Sequence, residues 1–273
     1  MSNTQLEVYI LKTPKNSRAA ILIDKLSASN RINLNVIDSV MVRNEDDIQA
    51  NGIELDENTF RVLEGRRLSF GEIGCAHSHN LARKKIADTN RGGVVLEDDA
   101  RIESIDEFVN IACKFLNEDN EIGKILTLTS FWSSQKKRQS DATFKKRPWI
   151  KLMGHAPLAV AYAITPKAAA DMYTKNTPIK FVADWPVSSC AFYVLRNPTV
   201  NHGDDVTSSL IDIANTNFRQ GVSISKKFAR YSFYSYLNER NKKIRISEYL
   251  SWVYLRRIRW YLDIIIVKIK SVR

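Results

Sequence analysis

Apolar residues recur along this chain in two alternating periods. Val8-Tyr9-Ile10-Leu11 is an unbroken run of the kind buried inside a sheet. After a loop containing Pro14 the spacing becomes helical from about Ser17, with Ile21, Leu22 and Leu26 predicted on the inner side. Residues 33–42, rich in β-branched side chains, predict a second strand, and together these segments form a βαβ opening, the usual start of a parallel sheet. Residues 44–68 are polar, charged and irregular, and no part of the core is predicted there. The pattern returns at Ser69-Phe70-Gly71-Glu72-Ile73-Gly74-Cys75-Ala76-His77-Ser78-His79, whose glycines let a backbone pass close to a ligand at a helix start. That helix runs on through Leu81 to Ile86, and a turn over 90–93 leads into Val94-Val95-Leu96. Ile105, Phe108, Val109, Ala112 and Leu116 share one side of a helix, and Ile125-Leu126-Thr127-Leu128 is a further buried strand. Residues 156–164 form a second small-residue apolar run, Thr165-Pro166-Lys167 begins a helix by cap and proline, and Phe192 to Leu195 predicts a final strand. The fold class is therefore α/β, a mostly parallel sheet flanked by helices.

The end of the chain is different. Over residues 252–269, Leu255, Ile258, Leu262, Ile265, Ile266 and Ile269 fall on one helical face, flanked by Trp252, Trp260 and Tyr261, with Arg256, Arg257 and Lys268 away from it. The net charge of +11 is concentrated there: residues 226–273 carry 13 Lys or Arg against three acids, while the first 225 are nearly neutral. A basic, aromatic-rich amphipathic helix suits an in-plane anchor on an anionic membrane; the alternative is an ordinary C-terminal helix packed on the body. The apolar run after the polar N-terminus is too short for a signal peptide, and no span of about 18 apolar residues follows, so neither export by that route nor threading through a membrane is predicted. Cys75, Cys113 and Cys190 are odd in number and far apart, with no CxxC pair, which suits a reducing compartment. No GxGxxG follows the first strand, which removes support for a dinucleotide fold of the NAD type. The polar, basic segment 131–149 reads as a loop, either solvated or able to clamp an anionic substrate.

The chemistry concentrates where Val94-Val95-Leu96 ends in Glu97-Asp98-Asp99. Continued strand alternation puts Glu97 and Asp99 on one face and Asp98 on the other. Carboxylates just past the carboxyl end of a parallel strand sit where open α/β sheets bind ligands, and hard oxygen donors suit Mg²⁺ or Mn²⁺ carrying a diphosphate. An acidic turn capping the next helix is the alternative. His77 and His79 lie two apart on a helix and cannot both grip one ion, which leaves a single histidine to meet a substrate phosphate or sugar, or to be hydrogen-bonded at a helix–sheet interface. Asp184, isolated between apolar residues and beside Trp185, is a candidate general base, since sugar rings stack on indole. His202, in Asn201-His202-Gly203-Asp204-Asp205, either completes a metal site or lies in a surface turn.

Five motifs resemble glycosyltransferase family 25, the bacterial lipooligosaccharide sugar transferases related to the collagen galactosyltransferases. They are GEIGCAHSH (71–79), VVLEDDA (94–100), AYAITPKAA (161–169), VADW (182–185) and NPTVNHGDDVTSSL (197–210), in the family's order over roughly residues 6–215. Departures stand at Ile10-Leu11-Lys12, which lacks the asparagine of the family's common INL-K-R pattern, and at Arg83 and Lys84 in the helix after His79, where bulkier residues are often seen. The resemblance implies a GT-A-like (Rossmann-like) catalytic domain, assigned to residues 1–225, and a metal-dependent, inverting transfer; the basic helical tail over 226–273 lies beyond the residues it covers. It implies Mn²⁺ or Mg²⁺ at Asp99, Glu97 and His202, and contacts to a UDP-sugar donor from Glu97, Asp98, Ser78, His79 and Thr129, with Asp184 as catalytic base. The implied sugar is galactose, or next glucose; the acceptor is a lipid-linked oligosaccharide of lipopolysaccharide, reached by an enzyme peripheral on the cytoplasmic face of the plasma membrane. Two other classes stand against this reading. One is a nucleic-acid-binding protein using the basic tail, which the continuous apolar face and the lack of a recognised RNA motif oppose, so no nucleic-acid partner is expected. The other is an inactive family member serving as a scaffold.

Overall fold

The structure is a computed structural model that describes residues 5–14, 17–64, 67–118, 122–129, 148–151, 159–183 and 190–202, without the side chains of 61–64 and 202. The predictions for the basic loop as far as residue 147, Asp184 and the C-terminal tail fall outside the described residues, while Trp149, predicted at the loop's end, instead starts the strand Trp149–Lys151 and is buried in the core.

In chain order the elements are β1 (Leu6–Lys12), α1 (Arg18–Ser27), β2 (Ile32–Asp38), α2 (Glu45–Ala50), α3 (Glu57–Glu64), α4 (Phe70–Ala87), β3 (Gly93–Glu97), β4 (Ala100–Ile102), α5 (Ile105–Leu116), β5 (Lys124–Thr127), β6 (Trp149–Lys151), β7 (Ala161–Ile164), α6 (Pro166–Lys175), β8 (Ala191–Leu195) and β9 (Val200–His202). Seven strands form one sheet in the order β2-β1-β3-β7-β5-β8-β6. β1 is parallel to both β2 and β3, and β5 is parallel to β8, while β7 and β6 run against their neighbours. The class is thus mixed α/β, with helices on both faces.

Strand alternation divides the core. Val8, Ile10, Val94, Leu96 and Leu126 pack with Leu22 and Leu26 of α1 and Phe108, Val109 and Phe115 of α5. Tyr9, Leu11, Val95, Ile125, Tyr162 and Ile164 pack with Ala82 and Ile86 of α4 and Met172 of α6. In α1 the buried face is Ala19, Leu22 and Leu26, and Ile21, predicted inside, is 76% exposed. Each residue turns the helix by about 100°, so the i, i+3, i+7 stripe carries Ile21 out of the interface.

The polar stretch 44–68 is corrected more substantially. It holds α2, capped by the Asn44 side chain accepting from the Asp47 amide, and α3. Val42, Ile53, Phe60 and Leu68 bury with Ile73, Ala76 and Ile179 in a third cluster. These residues are too widely spaced to show a period; they meet only through the fold. α4 also begins earlier than the glycine motif suggested, under a capping box in which Ser69 and Glu72 satisfy each other's backbone amides. Gly74 then lies inside the helix, and a Cβ there would stand 2.4 Å from the Val40 carbonyl oxygen. Its close approach is to the chain itself.

At one edge of the sheet lie the carboxyl ends of β1, β3, β5 and β8. β1 connects to β2 on one side and the neighbouring β3 runs on to β5 on the other, so the connections leave these adjacent strands in opposite directions, the topology at which open α/β sheets bind ligands. Among the described residues no helix is long and apolar enough to cross a membrane.

Candidate functional site at the carboxyl edge of the sheet

Glu97 ends β3, and its side chain meets α4. His79, with no exposed surface, brings Nε2 to 3.0 Å from Glu97 Oε1 and Nδ1 to 3.0 Å from the Tyr162 hydroxyl. The His79 and Tyr162 rings stack at 5.8 Å between centroids. Burial first of all raises the Tyr162 pKa, and the charges of Glu97 and Cys75 add to it against the opposing Arg83, so the phenol keeps its proton. One neutral tautomer satisfies this chain. A donating Tyr162 puts the imidazole proton on Nε2, which then donates to Glu97; an accepting Tyr162 leaves the Nε2 lone pair facing the carboxylate.

One turn further along α4, Arg83 is also fully buried, its guanidinium 5.8 Å from the Tyr162 ring centre. Nη2 donates to the Ala183 carbonyl at 2.7 Å, and Nη1 reaches Asn80 Oδ1 at 3.4 Å. Asn80 donates to the Asn176 carbonyl at 2.8 Å, and the Asn176 side chain accepts from the amides of Lys180 and Phe181. α4 therefore holds the chain down to Ala183, the residue before Asp184, which itself lies outside the described residues.

Asp98 and Asp99 occupy the turn between β3 and β4. The alternation predicted to carry Glu97 and Asp99 to one face stops at Glu97, because the ladder to β1 and β7 ends there and the chain changes direction in the turn. β4 pairs antiparallel with β9, setting His202 opposite Ala100 and Val200 opposite Ile102. His202 is thus in a strand, one ladder position from Asp99; its side chain lies outside the described residues. Thr129 bridges to Val200 and is 2% exposed. The backbone thereby brings three of the predicted residues, Asp99, Thr129 and His202, to one place from segments far apart in sequence. The hydroxyls of Thr127, Thr129 and Thr199 are buried there without a hydrogen-bond partner among the described residues. Asp99 Oδ1 is also buried. Carboxylates in a turn, with a histidine strand beside them, fit a hard divalent cation in the chemistry of their donors.

Ser78 is engaged elsewhere. Its hydroxyl donates to the Gly74 carbonyl at 2.8 Å and accepts from the Val40 amide at 3.0 Å, locking α4 against the segment after β2. His77 is half-buried, and burial lowers its pKa. Sequence reasoning assigned no role to Cys75, Arg83 or Tyr162. Sγ of Cys75, a ring nitrogen of His79 and a carboxylate oxygen of Glu97 all lie within 4.8 Å of one another. The i, i+4 spacing of Cys75 and His79 was visible, but their partner on another element was not; Tyr162 read as one more apolar position in a strand.

A family model described as glycosyltransferase family 25 (LPS biosynthesis protein) matches residues 7–187, about two thirds of the chain. No curated protein matches it.

Proposed function

The chain belongs to glycosyltransferase family 25, and from that premise we propose that this glycosyltransferase of lipopolysaccharide biosynthesis moves a hexose from a UDP-sugar to an acceptor hydroxyl with inversion at the anomeric carbon. The observation that carries the reading is the pairing of β4 with β9, which sets the Asp98-Asp99 turn beside His202 and Thr129 at the carboxyl edge of the sheet, the edge where open α/β sheets bind ligands.

Asp99, with Asp98 and His202, would hold Mn²⁺ or Mg²⁺ at the donor diphosphate. That cation, when bound, supplies positive charge against the charge developing on the leaving group. The buried threonine hydroxyls offer hydrogen bonds to the donor, and His79 holds one Glu97 oxygen at the rim. Asp184, carried by the segment that Arg83 ties down at Ala183, takes the proton of the acceptor hydroxyl. The acceptor oxygen then bonds to the anomeric carbon as the bond to the diphosphate breaks, in one displacement with no covalent intermediate. Galactose is the proposed sugar and glucose the next candidate; the acceptor is a lipid-linked oligosaccharide. Residues 226–273, basic and amphipathic, would hold the enzyme against an anionic membrane at the cytoplasmic face.

Screening nucleotide sugars for thermal stabilisation, with and without Mn²⁺, tests the donor assignment, because a ligand that binds only the native state raises the melting temperature. A UDP-hexose should stabilise the protein only with the metal, and Asp99→Ala should lose both that response and transfer while its own melting temperature stays near wild type. Retained transfer in Asp99→Ala, or no response to any nucleotide sugar, would reject the reading.

A further inference from the structure

The cluster beside the donor edge has a composition of its own. Cys75 and His79 stand four residues apart on α4, so their side chains share one face of the helix. Glu97 reaches the same point from the end of β3, and the sulfur, nitrogen and oxygen atoms lie within 4.8 Å of one another. The His79–Glu97 contact is already 3.0 Å, close to the separation of two ligands on one tetrahedral ion. Tyr162, 3.0 Å from Nδ1, acts on the far side of the imidazole, fixing its orientation as the outer partners of metal-bound histidines do. Cys75 is half-buried and the Glu97 side chain 27% exposed, so an ion can reach ligands that a wholly sealed core would deny it.

We propose that Cys75, His79 and Glu97 form a second metal site, selective for a borderline-soft divalent ion of the zinc type and distinct from the hard-cation site at Asp99. A thiolate beside an imidazole and a carboxylate matches Zn²⁺ and disfavours Mg²⁺ and Mn²⁺, hard ions for which sulfur is a poor ligand. With these three ligands among the described residues, one coordination position is left for water or a small ligand, the pattern of an exchangeable site and not of a closed structural one. Binding joins α4 to the end of β3, two residues before Asp99, and takes a Glu97 oxygen away from its hydrogen bond with His79. The inference does not rest on the donor chemistry proposed above.

The test is a titration of metal-stripped full-length protein with Co²⁺ as a spectroscopic stand-in for Zn²⁺. A saturable thiolate-to-cobalt charge-transfer absorption should appear at one equivalent, be displaced by Zn²⁺ and be indifferent to excess Mg²⁺. Cys75→Ser and His79→Gln should abolish it. Glu97→Gln, at a partly exposed position that leaves the core unchanged, should weaken Zn²⁺ binding by roughly tenfold or more. Cys113→Ser and Asp99→Ala should keep the absorption, the latter while losing transfer, so failure here and failure of the donor-site reading are told apart. An absent band, a band that survives Cys75→Ser, or Zn²⁺ affinity unchanged in Glu97→Gln would overturn the proposal and leave the three groups as a hydrogen-bonded cluster only.

Discussion

Replacing Gly74 by alanine sets two effects of opposite sign against each other. Alanine in a helix interior is favoured over glycine by about 1 kcal/mol. Against this, the new Cβ would stand 2.4 Å from the Val40 carbonyl oxygen and 3.3 Å from the Val42 amide nitrogen, both backbone atoms that cannot swing aside. Reaching an ordinary contact of 3.4 Å from that oxygen requires a retreat of 3.4 − 2.4 Å, or 1.0 Å. Such a movement stretches the 3.0 Å bond from the Val40 amide to Ser78 Oγ beyond hydrogen-bonding range and loosens the small cluster of Val42, Phe60, Ile73 and Ile179. Forced repacking of this kind costs about 1–3 kcal/mol, and losing the partly buried hydrogen bond about 1 kcal/mol more. The steric side wins, for a net destabilisation of about 1–3 kcal/mol. For a domain of this size that lowers the melting temperature by several degrees, about 2–4 °C per kcal/mol. Urea unfolding followed by circular dichroism measures it, with the midpoint falling and the slope unchanged. A midpoint equal to or above wild type would refute the reasoning, since it would mean that α4 and the 40–42 segment yield without cost.

Buried groups give three more expected outcomes. Arg83→Met keeps most of the side-chain volume but leaves the Ala183 carbonyl without its guanidinium donor, a loss of about 1–3 kcal/mol; kcat should fall more than KM changes, with partial recovery in Arg83→Lys, and unchanged kinetics would remove Arg83 as a positioning residue. Tyr162→Phe strips the partner from buried Nδ1 of His79 and should destabilise by a similar amount; thermal melts check it, and a variant as stable as wild type would mean that the hydroxyl contributes nothing. The Tyr9 pKa is raised above 10.0 by burial first and by the Glu7 carboxylate second. Its folded form therefore holds the proton more tightly than the unfolded chain does, and this contribution is fully present below pH 10.0 and lost as pH rises through the folded value. Tyr9→Phe should flatten the alkaline limb of the stability–pH curve, and an identical limb in both proteins would refute the assignment.

Much of the fold was legible because its signals are local. The β1-α1-β2 opening, the buried Val94-Val95-Leu96 strand, the Phe108-Val109-Ala112 helix face and the Thr165-Pro166 helix start all arise from spacing within a dozen residues. Even there local rules met tertiary demands: Thr165 starts α6, yet its hydroxyl accepts from the Lys124 amide and caps nothing. The misreadings have a common origin. Ile21 matched a helical pattern only approximately, and residues 44–68 held apolar side chains too far apart to show one.

The sequence by itself determined the class of the protein: two alternating periods, an acidic cluster closing an apolar strand, and motifs in the family's order. Only the tertiary structure decided which of these meet. That Glu97 faces His79 and Tyr162, that Asp99 sits one ladder position from His202, and that Cys75 joins the first group and Thr129 the second depends on strand order and register. Period reports which face a residue takes on its own element. Topology decides what stands opposite, and no local pattern encodes a partner about eighty or a hundred residues away.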